Sequence, residues 1–248
     1  MIKLIVCDFD GTLLPYGDET VSDGTILKIR SFLKQGICFA VSSGRMYSEL
    51  VNFLPEFKND IYFICDDGAL TVKSDKVICN KPISVNAIKK FFDLNNFLCV
   101  NFHSLDEVYS FNDFECRSYG KQTINVKRFF EIKNPIYKIS AKMLPCASFD
   151  FSGVRVHYND ESYYEFVSSY ANKGISLIDL QLHLGINKYE TVAVGDASND
   201  IPMLLNSSQS FMIGEKSIQL KEICKYSVKS IAEAFELIDN IHQNSKTT

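Results

Sequence analysis

The sequence has no long apolar run and no excess of positive charge. None of its apolar runs approaches the roughly 20 residues that a membrane-spanning helix requires. Asp8 and Asp10 interrupt the apolar start before the core of a signal peptide could form. The formal net charge of −4 and the pI near 5.6 give no electrostatic reason for a nucleic-acid or membrane partner. We therefore expect a cytoplasmic protein that binds neither.

The sequence also lacks Cys-x-x-Cys pairs, histidines at metal-ligand spacing, internal repeats and low-complexity linkers. Eight cysteines are scattered along the chain: Cys7, Cys38, Cys65, Cys79, Cys99, Cys116, Cys146 and Cys224. This usage is typical of reduced, buried thiols in a cytosolic protein. At 248 residues, 46% of them hydrophobic, the chain is long enough for one large domain or for a domain with a substantial insertion.

Short β-rich runs alternate with helical patterns in the first part of the chain. Three apolar runs that end in polar or glycine residues are typical of buried parallel strands: 2–7, 37–41 and 61–65. Ser22 and Asp23 can cap a helix that ends at Gly36, and a second helix ends before Pro55. This order of strands and helices predicts a parallel α/β sheet.

The pattern changes after residue 81. Residues 82–167 combine a predicted helix with several short strands and hairpin-like turns, which indicates an antiparallel sheet. The alternation of helices and strands resumes after residue 168. We therefore predict an α/β fold with a doubly wound, Rossmann-like parallel sheet. Its core comprises residues 1–81 and 168–248, and an inserted α+β cap domain comprises residues 82–167.

Acidic and small polar residues follow the predicted strands of this sheet. They are Asp8, Asp10, Ser43, Gly44, Asp67, Gly68, Asp196, Asn199 and Asp200. Ligands bind outside the carboxyl ends of the strands in an open parallel sheet. Several carboxylates in one partly desolvated place repel one another unless a cation is present. Because the set contains no histidine or cysteine, it favours a hard ion such as Mg²⁺.

Asp8 and Asp10 have the spacing that nucleophilic catalysis on phosphorus needs. Residues two apart in an extended chain share one side of it, and Gly11 allows a sharp turn directly after them. One carboxylate can attack phosphorus while the other transfers protons. An aspartate nucleophile forms an acyl phosphate, which divides one difficult displacement into two easier ones.

Four segments together resemble the haloacid dehalogenase superfamily, phosphatase branch. The segment that resembles the family's first motif is Asp8-Phe9-Asp10-Gly11-Thr12-Leu13-Leu14. The segments that resemble its second and third motifs are Ser43-Gly44-Arg45 and Asn172-Lys173-Gly174. The segment that resembles its fourth motif is Gly195-Asp196-Ala197-Ser198-Asn199-Asp200. The insertion lies between the second and third motifs, as in the Cof-like group of that family. The resemblance implies a Mg²⁺-dependent phosphatase that acts on small-molecule phosphate esters, such as sugar phosphates or a phosphorylated cofactor.

The resemblance also implies a role for each matching residue. Asp8 is the expected nucleophile and a metal ligand, and Asp10 is the expected general acid and base, with its backbone carbonyl on the metal. Asp196 and Asp200 complete the expected metal site. The phosphoryl oxygens are expected to contact Ser43, Gly44, Lys173 and Asn199, with the backbone amides of Ser43 and Gly44 at a helix N-terminus.

Two segments depart from the family pattern. Asp67-Gly68-Ala69 stands where the family commonly has Asn-Gly-Ala, and Gly214-Glu215-Lys216 replaces Gly-Asn-Ala. The extra carboxylate at Asp67 either weakens phosphate binding or selects another substrate group. Two other functions stay open, namely a phosphomutase or phosphotransferase on the same fold, and a non-catalytic binding or regulatory member. The pattern leaves the natural substrate and the oligomeric state open.

Overall fold

The computed structural model describes residues 1–93, 97–111, 122–143, 152–160, 162–214 and 217–246. It divides into two compact units. Unit 1 comprises Met1–Cys79 and Asn172–Thr248, and unit 2 comprises Asn80–Ala171. The predicted insertion, 82–167, lies inside unit 2. Within the described ranges, no helix combines the length and the apolarity that a membrane span requires.

Unit 1 is built on a sheet in which eight strands are described. In chain order they are β1 (Leu4–Asp8), β2 (Cys38–Ser42), β3 (Tyr62–Cys65), β4 (Leu70–Lys73), β5 (Lys76–Asn80), β12 (Thr191–Gly195), β13 (Gln209–Ile213) and β14 (Tyr226–Val228). Their order across the sheet is β14-β13-β12-β1-β2-β3-β4-β5. The first six strands in this order pair in parallel, and β4 runs antiparallel to β3.

Helices cover both faces of this sheet. They are α1 (Asp23–Lys34), α2 (Tyr47–Phe53), α4 (Lys173–Leu184), α5 (Ile201–Leu205), α6 (Ile218–Ile223) and α7 (Ile231–Asn244). Leu4 and Val6 of β1 belong to an apolar cluster with residues of α4, α5 and α6. On the other face, Phe39 of β2 and Phe32 of α1 contact the ring of Phe235 in α7. The doubly wound Rossmann-like core is therefore confirmed.

Within its described residues, unit 2 contains one α-helix, α3 (Val85–Asp93), and a second sheet. The strands are β6 (Phe97–His103), β7 (Glu107–Phe111), β8 (Gln122–Asn125), β9 (Lys138–Met143), β10 (Val154–Asp160) and β11 (Tyr163–Ser168), ordered β10-β11-β9-β6-β7-β8. Phe91 of α3 packs on Phe97, Phe102 and Phe166, so this unit has its own apolar core.

The structure corrects several details of the sequence prediction. The second sheet is not purely antiparallel, because β7 and β8 pair in parallel. The prediction also omitted β4, β5, β14 and α6. The predicted thiol state is consistent with the described cysteines, which are free. Cys116, Cys146, Glu215 and Lys216 lie outside the described residues.

Candidate active site

Three adjacent parallel strands bring the predicted site residues to one edge of the sheet. Asp8 is the last residue of β1, Ser43 directly follows β2, and Asp196 directly follows β12. Strand β1 lies between the other two, with Cys7 opposite Val194 on one side and Val41 on the other. Residues far apart in the chain therefore meet at the carboxyl ends of these strands.

Three of the four predicted metal-binding acids form a compact carboxylate cluster. Asp8, Asp196 and Asp200 each have an oxygen within 4.8 Å of an oxygen of the others. Asp8 is 5% exposed and Asp200 is fully buried. One oxygen of Asp8, Oδ2, is buried and has no hydrogen-bond partner in the part of the chain that the structure describes. A buried charged oxygen without a partner is costly, so this atom is suited to a ligand.

Lys173 places its ammonium group between two of these acids. It is the first residue of α4, where Asn172 caps the helix by accepting a hydrogen bond from the backbone of Ile175. Its Nζ donates to Oδ1 of Asp8 and to Oδ1 of Asp200, each at 2.6 Å. The lysine is 1% exposed. Burial lowers the pKa of its ammonium, but the surrounding carboxylates, Asp200 first, raise that pKa to well above its usual range.

Asp200 also orders the loop that carries Asp196. Its Oδ2 accepts hydrogen bonds from the backbone N–H groups of Asp196 and Ala197, at 3.0 and 3.1 Å. The Asp196 carboxylate in turn accepts from the Tyr16 hydroxyl at 3.0 Å. Each acid therefore has a fixed direction, which a shared ligand requires.

Two acids of the cluster, Asp8 and Asp196, have a raised pKa. Burial raises the pKa of Asp8; Lys173 lowers it, and the negative charge of Asp200 raises it again, so that the net pKa lies well above the usual value. Burial likewise raises the pKa of Asp196. A cation among these oxygens would favour their ionised forms, because it offsets the repulsion between them.

Gly11 is required by the tight turn after β1. Its φ is +85°, in the left-handed region that favours glycine. A Cβ atom there would collide with the Asp196 carboxylate and with the ring of Tyr16. The glycine therefore allows the sharp turn that the sequence pattern predicts, and it lets the loop of the first motif approach the loop of the fourth.

Asp10 lies outside the carboxylate cluster and pairs with Arg45. Nε of Arg45 is 3.0 Å from Oδ1 and 2.9 Å from Oδ2 of Asp10, and Nη2 is 2.7 Å from Oδ1. The hydroxyl of Ser43 is 3.5 Å from Oδ2 of the same carboxylate. Asp10 and Ser43 are thus neighbours, as a shared phosphoryl site requires.

The expected helix N-terminus at Ser43 and Gly44 is wrong. Helix α2 begins at Tyr47, three residues after Gly44. The backbone N–H of Ser43 donates to the carbonyl of Ile64 in β3 at 2.9 Å, so this amide is already used by the sheet. Only the hydroxyl of Ser43 is left as its donor to a ligand.

The other predicted positions differ in exposure. Asn199 is exposed, and its side chain makes no hydrogen bond to another described residue, so it is available to a ligand. Asp67 is buried, its φ is +52°, and its charge helps to raise the pKa of Lys173. Gly68 packs so closely on the backbone of Asn172 that a Cβ atom would collide with it.

Three residues that sequence reasoning gave no role contact the site. Arg45 contacts Asp10, while Tyr16 and Thr12 contact Asp196, the latter at 3.5 Å. Arg45 and Thr12 lie inside the recognised motifs, which was the available signal. Tyr16 lies outside them, and burial together with Asp196 raises the pKa of its phenol to about 12, so that it stays a donor.

The chain is similar to known phosphatases along most of its length. A family model for haloacid dehalogenase-like hydrolases matches residues 5–234. A 5-amino-6-(5-phospho-D-ribitylamino)uracil phosphatase, YbjI of Escherichia coli K12, is 27% identical over 92% of this chain and 91% of its own. HMP-PP phosphatase of Klebsiella pneumoniae is 24% identical, covering 89% and 87% of the two chains.

Solved structures share the fold. A protein from Eubacterium rectale superposes with a TM-score of 0.83 at 20% identity, over 97% of this chain and 99% of the other. The HAD subclass IIB sugar phosphatase BT4131 does so with a TM-score of 0.74 at 18% identity, over 96% and 99%. The motifs and these matches agree, and the chain belongs to the haloacid dehalogenase-like hydrolase family, as a phosphatase.

Proposed function

We propose that this phosphatase hydrolyses small phosphomonoesters with Mg²⁺ as cofactor and Asp8 as nucleophile. The observation that carries the proposal is the cluster of Asp8, Asp196 and Asp200 around the ammonium of Lys173. The buried Oδ2 of Asp8, which has no hydrogen-bond partner among the described residues, and the all-carboxylate donor set fit a hard divalent cation. These three acids, with the backbone carbonyl of Asp10, would hold the ion. When bound, it would reduce the repulsion between Asp8 and the phosphate.

The remaining residues have roles that follow from their chemistry. An oxygen of Asp8 forms a bond to phosphorus, the bond from phosphorus to the ester oxygen breaks, and Asp10 gives that oxygen a proton. In the second step a water molecule gives a proton to Asp10. The oxygen of this water forms a bond to phosphorus while the bond between phosphorus and Asp8 breaks. Inorganic phosphate leaves, and both aspartates return to their first state.

Phosphoryl oxygens need donors during both steps. The Lys173 ammonium supplies a point charge next to Asp8, and the Ser43 hydroxyl supplies a donor next to Asp10. We assign Gly44 and Asn199 to the same phosphoryl group. The names of the relatives support a phosphorylated metabolite, either a sugar phosphate or a phosphorylated cofactor, as the substrate.

The first experiment is turnover of p-nitrophenyl phosphate by the parent chain, with Mg²⁺ and with EDTA. We expect turnover only with Mg²⁺, and a loss of about 10³-fold or more in Asp8→Asn. Asp60→Asn makes the same change at an exposed position and should keep the parent rate. Undiminished turnover in Asp8→Asn would rule out Asp8 as the nucleophile.

A second measurement tests the covalent intermediate. Borohydride added during turnover reduces an acyl phosphate, and peptide mass spectrometry should then find the modification at residue 8 of the parent. Assays for free phosphate and for an isomerised sugar phosphate separate hydrolysis from phosphoryl transfer to another hydroxyl. Free phosphate is the product that we expect.

A further inference from the structure

Arg45 donates hydrogen bonds from Nε and Nη2 to both oxygens of Asp10, and we call this ion pair the fork. The contacts of 2.7–3.0 Å have the length of charge-assisted hydrogen bonds. The Asp10 side chain is 38% exposed. A carboxylate at such an exposed position has several accessible rotamers when nothing holds it. The fork selects one of them.

Arg45 is itself fixed by neighbours in unit 1. Its backbone N–H donates to the hydroxyl of Ser43 at 3.1 Å. Its guanidinium lies 4.9 Å from the ring centre of Phe53 and 5.6 Å from that of Phe9. Nη1 is 3.7 Å from Oε1 of Glu49, whose other oxygen accepts from the backbone of Met46 at the start of α2.

This arrangement differs from an ordinary surface ion pair. Exposed pairs contribute little because both side chains must lose freedom to form them. Here the planar guanidinium is already held by aromatic rings and by the first turn of a helix, so less freedom is lost when it pairs. The energy of the contact is therefore available to orient Asp10.

We propose that Arg45 is a positioning residue, which holds the Asp10 carboxyl in the rotamer that delivers its proton to the leaving ester oxygen. This inference rests on the proposed function, in which Asp10 is the general acid. It predicts a dependence on the leaving group. An alkoxide must take a proton as its bond to phosphorus breaks, whereas p-nitrophenolate is stable enough to leave without one.

The experiment compares one alkyl ester, glycerol 2-phosphate, with p-nitrophenyl phosphate in the Mg²⁺-loaded full chain. Arg45→Met keeps an apolar stem between the rings and removes the fork. The readout is kcat/KM, because it covers only the steps up to departure of the alcohol, whereas kcat also includes hydrolysis of the acyl phosphate, in which Asp10 takes a proton for both esters. We expect kcat/KM for the alkyl ester to fall by about 10- to 100-fold, and kcat/KM for the aryl ester to fall much less. The inhibition constant of inorganic phosphate should change little, because Arg45 acts through Asp10.

Three further variants complete the test. Asp10→Asn should show the same selectivity with a larger loss, and the double variant should be no slower on the alkyl ester than Asp10→Asn alone. Arg30→Met is the matched control, since Arg30 also pairs with a glutamate, Glu56, and lies over a phenylalanine ring, Phe57. That variant should keep the parent ratio of the two rates.

Equal losses on both esters in Arg45→Met, or additive losses in the double variant, would overturn the inference. If Arg45→Met does not fold, Arg45→Lys replaces it in the test. This variant keeps the positive charge and should show a smaller loss that is again greater on the alkyl ester. An equal loss on both esters would overturn the inference. Failure of the proposed function can be distinguished from failure of the inference about Arg45. If Asp10 is not the general acid, Asp10→Asn itself would slow the reaction of both esters to the same extent.

Discussion

Lys173 carries a charge in a place from which water is almost excluded. Removing an ammonium from water costs several kcal/mol unless carboxylates surround it. Asp8 and Asp200 each contact its Nζ at 2.6 Å, and Asp67 adds a third negative charge nearby. The lysine therefore keeps its proton, and it holds the nucleophile in one orientation. Loss of either partner would leave a buried charge uncompensated.

Asp67 adds negative charge at a site whose substrate is an anion, and Asp67→Asn tests this effect. The amide has the same shape, and asparagine tolerates the left-handed φ of +52° at this position. We expect tighter binding of phosphate, with the inhibition constant of inorganic phosphate lowered by about tenfold, because one buried repulsion is removed. Competition against p-nitrophenyl phosphate measures it. With the exposed Asp60→Asn as control, an unchanged constant would show that Asp67 does not act on the phosphate.

The positions of Asp8, Ser43 and Asp196 could be predicted because each follows directly from the end of a parallel strand. That rule needs only the chain order and the apolar pattern. The pairing of Asp10 with Arg45 could not be predicted in the same way. It depends on where the loop after β2 turns and where α2 starts, and the sequence pattern placed that start too early.

At the level of elements, long apolar runs between clear breakers were predicted well. The predicted helix after Ser22 agrees with α1, whose N-cap is Ser22. Strand β14 has only three residues and β5 is largely exposed, so their patterns carry little periodic signal. Their pairing is decided by neighbouring strands that are already in place.

Helix α7 contains a histidine whose burial is energetically unfavourable. His242 is 1% exposed, and neither ring nitrogen has a hydrogen-bond partner among the described residues. Burial lowers the pKa of this histidine, and Lys246 lowers it further. The folded chain therefore binds this proton less readily than the unfolded chain, whose histidine has a pKa of about 6.5. The stability of the parent must fall, through this group, as the pH drops below that value.

His242→Leu should therefore stabilise the protein, and more at low pH. Removing two unsatisfied polar atoms is expected to raise the free energy of unfolding by about 1–3 kcal/mol at pH 8. At pH 5.5 the gain should be larger, because the leucine variant loses no stability to protonation of this group. Urea unfolding at both pH values measures the difference. His183→Leu, the same change at an exposed position of α4, should not alter the pH dependence, and equal gains at both pH values for His242→Leu would contradict the argument.

At the level of the whole molecule, each of the two units buries apolar residues of its own among the described residues. The core of unit 2 gathers Phe91, Phe102 and Phe166, and one core of unit 1 gathers residues of β1, α4 and α5. The insertion was predicted because the strand–helix alternation stops after residue 81 and resumes after residue 168. The order of strands in its sheet was not, since the parallel pairing of β7 with β8 depends on contacts that no local pattern encodes.

Because each unit buries its own core, a cavity in one should destabilise that unit first. Phe91 is fully buried and its ring contacts three other phenylalanines, so Phe91→Ala should cost about 3–5 kcal/mol. Hydrogen exchange with mass spectrometry should show lost protection in β6, β9 and β11, while β1 and β12 keep theirs. Leu177→Ala in α4 is the converse control and should expose β1 and β12 instead. Equal loss of protection in both units from Phe91→Ala would mean that the chain unfolds as a single cooperative body.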